Sequence, residues 1–311
     1  MNARFKGYVL GAVAAATYGT NPLFALPLYA DGMDADSVLF FRYLIAVPFI
    51  AMMLAFRGRS FRAPVRELAM MVFLGVMVAL SSLLLFESYT LMDAGIASTL
   101  LFVYPLMVAV LMALFFRERL RLDTLMCIFV ALCGIALLFK GGDGATLSIA
   151  GTAMVMFSSL TYAIYIVGVN RPGMRQVPTL KVIFYVLVSG VFLFGSKIML
   201  TPGAALSVPH HWYMWGCVFA LALLPTVVSF LCTTAAIQYI GPTPTAILGA
   251  LEPATAVLIG VTVFGEVMTP RDWLGLALIV VSVSLVVAGG RLPSYLVRFR
   301  RLFPVIRRIR H

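Results

Sequence analysis

Three charged side chains stand inside long apolar runs: Arg42 after Leu39, Phe40 and Phe41, Glu87 after a run of leucines, and Glu252 within TAILGALEPATAVLIG. A charge at the centre of a membrane helix costs roughly 2.5 to 3.5 kcal/mol on insertion scales, so each demands a partner, a wet cavity or a task. Arg42 and Glu87 fall at similar depth near one surface. They read either as a structural ion pair, with Arg42 partly snorkelling, or as direct ligands of a solute. Glu252 lies deepest, where neutralisation or a polar cavity is a physical requirement. Two readings stand for it: a hydrogen bond to a neighbouring helix, or a place on a cavity wall that helps hold a polar solute.

Polar and aromatic residues near helix-breaking prolines complete the candidate set: Tyr18, Asn21, Tyr89, Ser98, Tyr104, Thr161, Tyr162, Tyr165 and Gln238. Together they describe apolar walls carrying a few oriented polar groups, suited to a small amphipathic solute, although a single tyrosine also serves as packing or as an interfacial anchor. Pro105 and Pro253 each lack an amide donor, so their helices kink, either as gates or as static bends. Pro22 follows Gly19, Thr20 and Asn21, where an opened helix exposes carbonyls to a cavity. Catalytic chemistry is poorly supplied. The three histidines, His210, His211 and His311, lie outside the apolar runs, and no HExxH, GxSxG or pair of intramembrane aspartates is present. Lys140, Gly141 and Gly142 do not form a phosphate loop. The sequence calls for no metal and no cofactor, and an enzyme is not expected.

The elements that position these residues follow from composition. The chain has 62% hydrophobic and 11% charged residues in 311, with a mean hydropathy of +1.03. Its 23 basic and 12 acidic side chains are too few to cover a soluble molecule of this size. The class is an all-α integral membrane protein. About 20 apolar residues make a spanning helix, and the runs predict ten: 7–29, 37–56, 68–89, 94–116, 124–139, 149–169, 179–199, 212–237, 243–264 and 273–288. Short connections make neighbours antiparallel and leave no room for a soluble domain. The first run follows Arg4 and Lys6 but exceeds a signal peptide's apolar region, so it counts as a helix. Cys127, Cys133, Cys217 and Cys232 sit inside apolar runs as small core residues.

Basic residues mark the cytoplasmic side. With the N-terminus inside, that side holds Arg4, Lys6, Arg57, Arg59, Arg62, Arg66, Arg117, Arg119, Arg121, Arg171, Arg175 and Lys181, and a tail at 291–311 with seven more arginines. Asp31, Asp34, Asp36, Asp93, Asp143 and Asp272 fall opposite, with Lys140, Lys197 and Arg271. Only an even number of spans places the tail with the other cations. The expected site is a bacterial inner membrane, both termini cytoplasmic, with the tail against anionic lipid headgroups. Nucleic acid is not an expected partner, and oligomeric state is open.

The two halves resemble one another. An offset of 148 sets Pro105 on Pro253, Glu118 on Glu266 and Tyr104 on Glu252. Setting Gly7 on Gly151 brings Thr17 and Tyr18 to Thr161 and Tyr162. With five helices in each copy, the copies enter the membrane with opposite orientation, a common construction for transporters. The expected units are 1–140, 141–290 and the tail at 291–311. The segments YTLMDAGIASTLLFVYP with FRERL, and AIQYIGPTPTAILGALEP with FGEVM, resemble the ends of the domain found in EamA-like exporters of the drug/metabolite transporter superfamily. TYGTNPLFA and FFRYLIA extend the resemblance toward the start, while Val267 and Met268 depart from the usual Arg-Leu of the turn. The resemblance implies a ten-helix fold with a central cavity lined mainly by helices one, three, four, six, eight and nine. It also implies export of small metabolites such as amino acids. Glu118 and Glu266 close membrane-end turns and suit a structural role. The competing reading is a nontransporting scaffold or lipid-handling protein whose working part is the tail. Tail deletion separates the two, since a transporter core keeps its flux without it.

Overall fold

The computed structural model describes residues 3–88, 91, 100–116, 122–138, 148–201, 205–263 and 269–288. Every regular element among them is helical, because a helix satisfies its own backbone groups where water is absent. In chain order these are α1 (Ala3–Tyr18), α2 (Asn21–Ala30), α3 (Ala35–Phe56), α4 (Val65–Ser88), α5 (Tyr104–Phe116), α6 (Leu122–Leu138) and α7 (Ile149–Val169). The short α8 (Pro172–Arg175) precedes α9 (Thr179–Leu200), α10 (Trp212–Ala222), a π-helical turn (Leu223–Val228), α11 (Ser229–Ile240), α12 (Pro242–Leu248), α13 (Leu251–Val263) and α14 (Pro270–Ala288). Six runs among the described residues are long and apolar enough to cross a membrane: Ala3–Ala30, Ala35–Phe56, Val65–Ser88, Ile149–Val169, Thr179–Leu200 and Trp212–Ile240. Outward-facing residues from Phe157, 61% exposed, to Phe192, 74% exposed, give the molecule an apolar perimeter matched to lipid.

Two of these runs are interrupted near a proline, and breaks of the same kind precede Pro105 and Pro253 outside them. A proline has no amide donor and disfavours the helical conformation of the residue before it. The first run breaks at Gly19 and Thr20, just before Asn21 and Pro22. The segment 242–263 breaks at Gly249 and Ala250, ahead of Pro253. Ahead of α5, Phe102 and Val103 form a turn before Tyr104 and Pro105. The run around Pro225 departs from the unbroken helix that its uniform apolarity suggests. There the chain widens into the π turn, and the Thr226 hydroxyl donates to Leu221 O at 2.8 Å.

Packing follows a paired pattern. α4 lies against α7 and α1 against α11; α9 contacts both α3 and α4, while α10 contacts α3; α5 lies against α7 and α1 against α13; α6 pairs with α14 and α5 with α12. Small residues set these distances. Gly75 admits Val186 and Ser189 of α9, and Gly134 admits Gly275 and Ile279 of α14. Serines join the seam around α7: Ser81 and Ser158 hydroxyls lie 3.0 Å apart, and Ser159 donates to Leu101 O at 2.9 Å.

The two ends of the bundle differ in charge. At one end, Lys181 donates to Arg62 O at 2.8 Å, and Arg4 and Arg175 line a common space. At the other, Lys197 bridges Asp36 at 2.9 Å and also Glu87, while Tyr213 donates to Asp31.

Candidate functional site: a polar cavity at the helix breaks

Arg42 is buried, 4% exposed, at the point where the first span breaks and the π turn widens. Its Nη1 donates to Asn21 Oδ1 at 2.9 Å, its Nε to Thr226 Oγ1 at 2.5 Å, and its Nη2 to Pro225 O at 3.0 Å. The guanidinium also lies over the Tyr18 ring, 5.4 Å from its centroid. α3 thus braces both interrupted helices through one side chain. The π turn supplies what an uninterrupted helix lacks, a backbone carbonyl free to accept from a cation, and Asn21 and Thr226 add side-chain oxygens. These partners are neutral. Glu87 is not Arg42's counter-ion, since it binds Lys197 at the acidic end of the bundle. The ion pair expected from matched depth is therefore replaced by Lys197 with Asp36 and Glu87 on one side, and by neutral acceptors for Arg42 on the other.

Tyr18 also lines a cavity of about 20 Å³ walled by α1, α5, α7, α11, α12 and α13. Tyr18, Tyr104, Tyr162 and Glu252 face it, with Ser229, Thr233 and Thr245. That volume holds a water molecule or two, so the space is nearly closed in this state. Glu252 is in the first turn of α13, directly after the break at Gly249. Arg42 is close enough for its charge to act on Glu252. Tyr104 is fixed by donating to Ala246 O at 3.0 Å, and its ring meets Tyr162 edge-on at 4.9 Å. Tyr162 stacks on Tyr165 at 6.2 Å, and Tyr165 lies 3.4 Å from the Thr234 hydroxyl, behind the cavity wall. Gly249 is essential to this closeness, because a methyl there would overlap the Tyr104 hydroxyl. Gly19 does the same for α13: a Cβ would lie 2.5 Å from Glu252 O.

The structure therefore gathers Tyr18, Tyr104, Tyr162 and Glu252 around one space and sets Asn21 and Arg42 beside it. Four other candidates lie elsewhere. Thr161 donates to Ser158 O within α7, Tyr165 forms a backing layer, Gln238 accepts from Thr179 at 3.0 Å toward the basic end, and Glu87 belongs to the acidic end. Tyr89, Ser98, Glu118, Glu266, the side chain of Pro22 and the 291–311 tail lie outside the described residues. Pro105 is buried at the start of α5, and Pro253 follows Glu252 in α13. Sequence reasoning passed over Thr226, Ser229, Thr233 and Thr245. Their signal was present as hydroxyls at helical spacing around Pro225 and after Gly241, but hydroxyls in membrane helices are ordinarily satisfied by their own backbone.

The sequence model of the EamA-like transporter family matches residues 5–140 and again 149–288. The chain belongs to the EamA-like transporter family. Among relatives of this EamA-like transporter, the threonine/homoserine exporter RhtA of Escherichia coli K12 is 28% identical over 211 residues, 68% of each chain. An uncharacterized transporter of Archaeoglobus fulgidus is 25% identical over 272 residues, covering 87% of this chain and 92% of the relative. One solved crystal structure superposes with a TM-score of 0.77 over 90% of this chain and 96% of the other at 17% identity, a likeness of fold. The protein is a multi-pass membrane transporter.

In this EamA-like transporter a second, larger space of about 390 Å³ opens at the basic end. It lies between the start of α1, the end of α7 and the α11–α12 connection, with Arg4, Tyr8, Asn170, Arg175 and Tyr239 among its walls. Tight packing separates it from the Glu252 cavity. Gly7 rests on Tyr239 and Ile240, and Gly11 rests on Leu248.

Proposed function

We propose that this transporter exports small amphipathic metabolites of the amino-acid class across a bacterial inner membrane by alternating access. The observation that carries the reading is the buried polar cavity in which Glu252 sits among Tyr18, Tyr104 and Tyr162, with the Arg42 cation behind Tyr18. A buried acid among tyrosine rings suits a small solute that offers an amine to the acid and an apolar body to the rings. The threonine/homoserine exporter among the relatives transports solutes of that kind, and it favours the outward direction.

Ten spans in two inverted repeats, 1–140 and 141–290, are the architecture proposed for the cycle. Two features support it. Exchanging the halves maps α1 on α11 to α7 on α4, α3 on α10 to α9 on α4, and α1 on α13 to α7 on α5, while α3 on α9, α6 on α14 and α5 on α12 map to themselves. Furthermore, α1 begins and α7 ends at the same basic space, through Arg4 and Asn170, so these corresponding helices run in opposite senses. The basic end, and with it both termini, is assigned to the cytoplasm, where the arginine-bearing 291–311 tail would meet anionic headgroups. On that assignment the structure is open inward at the 390 Å³ space and nearly closed at the centre.

The test is flux from proteoliposomes loaded with threonine, homoserine and a mixed metabolite pool, with and without a pH gradient. Glu252→Gln keeps size and removes the ionisable carboxyl. With normal insertion it should lower flux by about tenfold, the value of one lost charged contact. Unchanged flux would remove Glu252 from the substrate path, and no flux of any amphipathic solute in the wild type would remove the carrier reading.

A further inference from the structure

We propose that the central cavity is a site for a primary ammonium group, in which Thr233 and Thr245 join Glu252 as the acceptors for its three N–H donors. The proposal rests on the transporter reading and adds to it the group recognised and the side chains that recognise it. The wall is rich in lone pairs and poor in hydrogens. Among the described residues that line it, none has a nitrogen-bearing side chain, and Arg42 is not one of them. Three of the lining hydroxyls have already given their single hydrogen to backbone carbonyls: Ser229 donates to Ala14 O at 3.0 Å, Thr245 to Gly241 O at 2.7 Å and Tyr104 to Ala246 O at 3.0 Å. Toward the cavity these oxygens can only accept. Ser229 and Tyr104 spend their bonds joining helices, whereas Thr245 bonds within α12 alone.

Other groups on the wall are unspent. The Thr233 hydroxyl, on a residue 8% exposed, and the Glu252 carboxyl have no hydrogen-bond partner among the described residues. Buried polar groups of this kind are costly until a ligand meets them. They stand on successive elements, Thr233 on α11, Thr245 on α12 and Glu252 in the first turn of α13, around one space of about 20 Å³. That is room for a head group the size of water, which an ammonium is and a trimethylated nitrogen is not. The charge agrees with the size. A carboxylate brings no donors and would lie beside an acid, whereas an ammonium meets the acid, the lone pairs and the tyrosine faces that attract cations. Tyr162 is close enough to Glu252 for the two to interact, so its hydroxyl can serve one carboxylate oxygen while the other takes the ammonium.

The experiment uses the full chain in nanodiscs and reads equilibrium binding, not flux. The probes are threonine, its N-methyl and N,N,N-trimethyl derivatives, valine and threonine methyl ester. Affinity should fall with methylation, to about tenfold or more for the trimethyl form, as charged hydrogen bonds are lost. In Thr233→Val/Thr245→Val, which keeps the shape of both side chains, threonine should weaken by about tenfold and the trimethyl form should not, so the preference collapses. Thr233→Ser/Thr245→Ser returns both oxygens and should restore it. Valine, which lacks the side-chain hydroxyl, and the ester, which lacks the carboxylate charge, should weaken in the valine double variant by the same factor as threonine. A preference that survives the valine double variant would reduce it to steric fit and overturn the proposal. Sparing of valine or of the ester would do so too, by giving the two hydroxyls to the solute's side chain or carboxylate, as would a wild type that binds none of the primary amines. Failure of the carrier reading appears separately, as a wild type that binds threonine with this preference and passes no solute.

Discussion

At the scale of single residues, the informative group is a cation whose hydrogen-bond partners are all neutral. Arg42 spends its donors on Asn21, Thr226 and the Pro225 carbonyl and its face on Tyr18, which matches the planar fork of arginine and not the single ammonium of lysine. Arg42→Lys is expected to keep the charge, lose about 2 kcal/mol through unmet acceptors, and lower the melting temperature of the purified protein; an unshifted melting curve would show that these contacts carry little. The sequence made Arg42 conspicuous because a charge in an apolar run is costly, yet it gave no route to Thr226, 184 positions away and hydroxyl-bearing like many of its neighbours. Gly249 is a sharper case. A methyl there would drive into the Tyr104 hydroxyl that is held by Ala246 O. Gly249→Ala should destabilise by about 1 to 3 kcal/mol, as overpacking does. Adding Tyr104→Phe should recover part of the loss and no more, since it removes the hydroxyl overlap but leaves the Cβ 2.9 Å from Ala246 O and 3.1 Å from the ring. Thermal melts of the single and double variants check both statements.

At the scale of elements, the breaks matter more than the helices. The interruption at Gly19 was legible, because Gly-Thr-Asn-Pro carries two helix breakers in four residues, and so was some bend near Pro105 and Pro253. The π turn was not, since a proline in a long apolar run announces a disturbance without saying whether the helix kinks or takes in an extra residue. Pro225→Ala restores an amide donor and favours ordinary α geometry, which turns Thr226 relative to Arg42. The variant should insert normally and show reduced flux, whereas full flux would make the π turn incidental. The start of α3 illustrates a pH effect outside the membrane. Asp34 caps this helix by accepting from Ser37 N at 3.0 Å. Partial burial raises the acid's pKa, but hydrogen bonds from Ser207 and Ser37 outweigh it and leave Asp34 below its ordinary value of 3.8. A depressed folded value means that the cap's contribution is complete above 3.8 and fades as pH falls through the lower folded value. Asp34→Ala should therefore cost about 1 kcal/mol near neutrality and progressively less in strong acid, as read from melting curves across pH.

At the scale of the molecule, the apolar runs and the match of Pro105 with Pro253 made an all-helical membrane fold with related halves readable, because lipid leaves a polypeptide few solutions. Direction around each helix was not readable. Thr161, Tyr165 and Gln238 sit on helices that border the site, yet they turn to Ser158, Thr234 and Thr179, a choice fixed by packing among helices far apart in sequence. What the assembled molecule adds is a seam between its two spaces, where α1 meets the end of α11 and α12 through Gly7 and Gly11. If the halves rock about the centre, this seam must part in each cycle. It can be tied shut. A Cβ on Gly11 lies 3.6 Å from Leu248 Cβ, and one on Gly7 lies 3.5 Å from Ile240 Cβ, both at the close end of disulfide geometry. In a background with Cys127, Cys133, Cys217 and Cys232 replaced by alanine or serine, Gly11→Cys/Leu248→Cys should transport when reduced, stop when oxidised and resume on addition of dithiothreitol. Either single cysteine should be indifferent to the oxidant. Full flux through a quantitatively cross-linked protein would mean that solute passes without opening this seam, and alternating access between the basic space and the Glu252 cavity would then have to be abandoned.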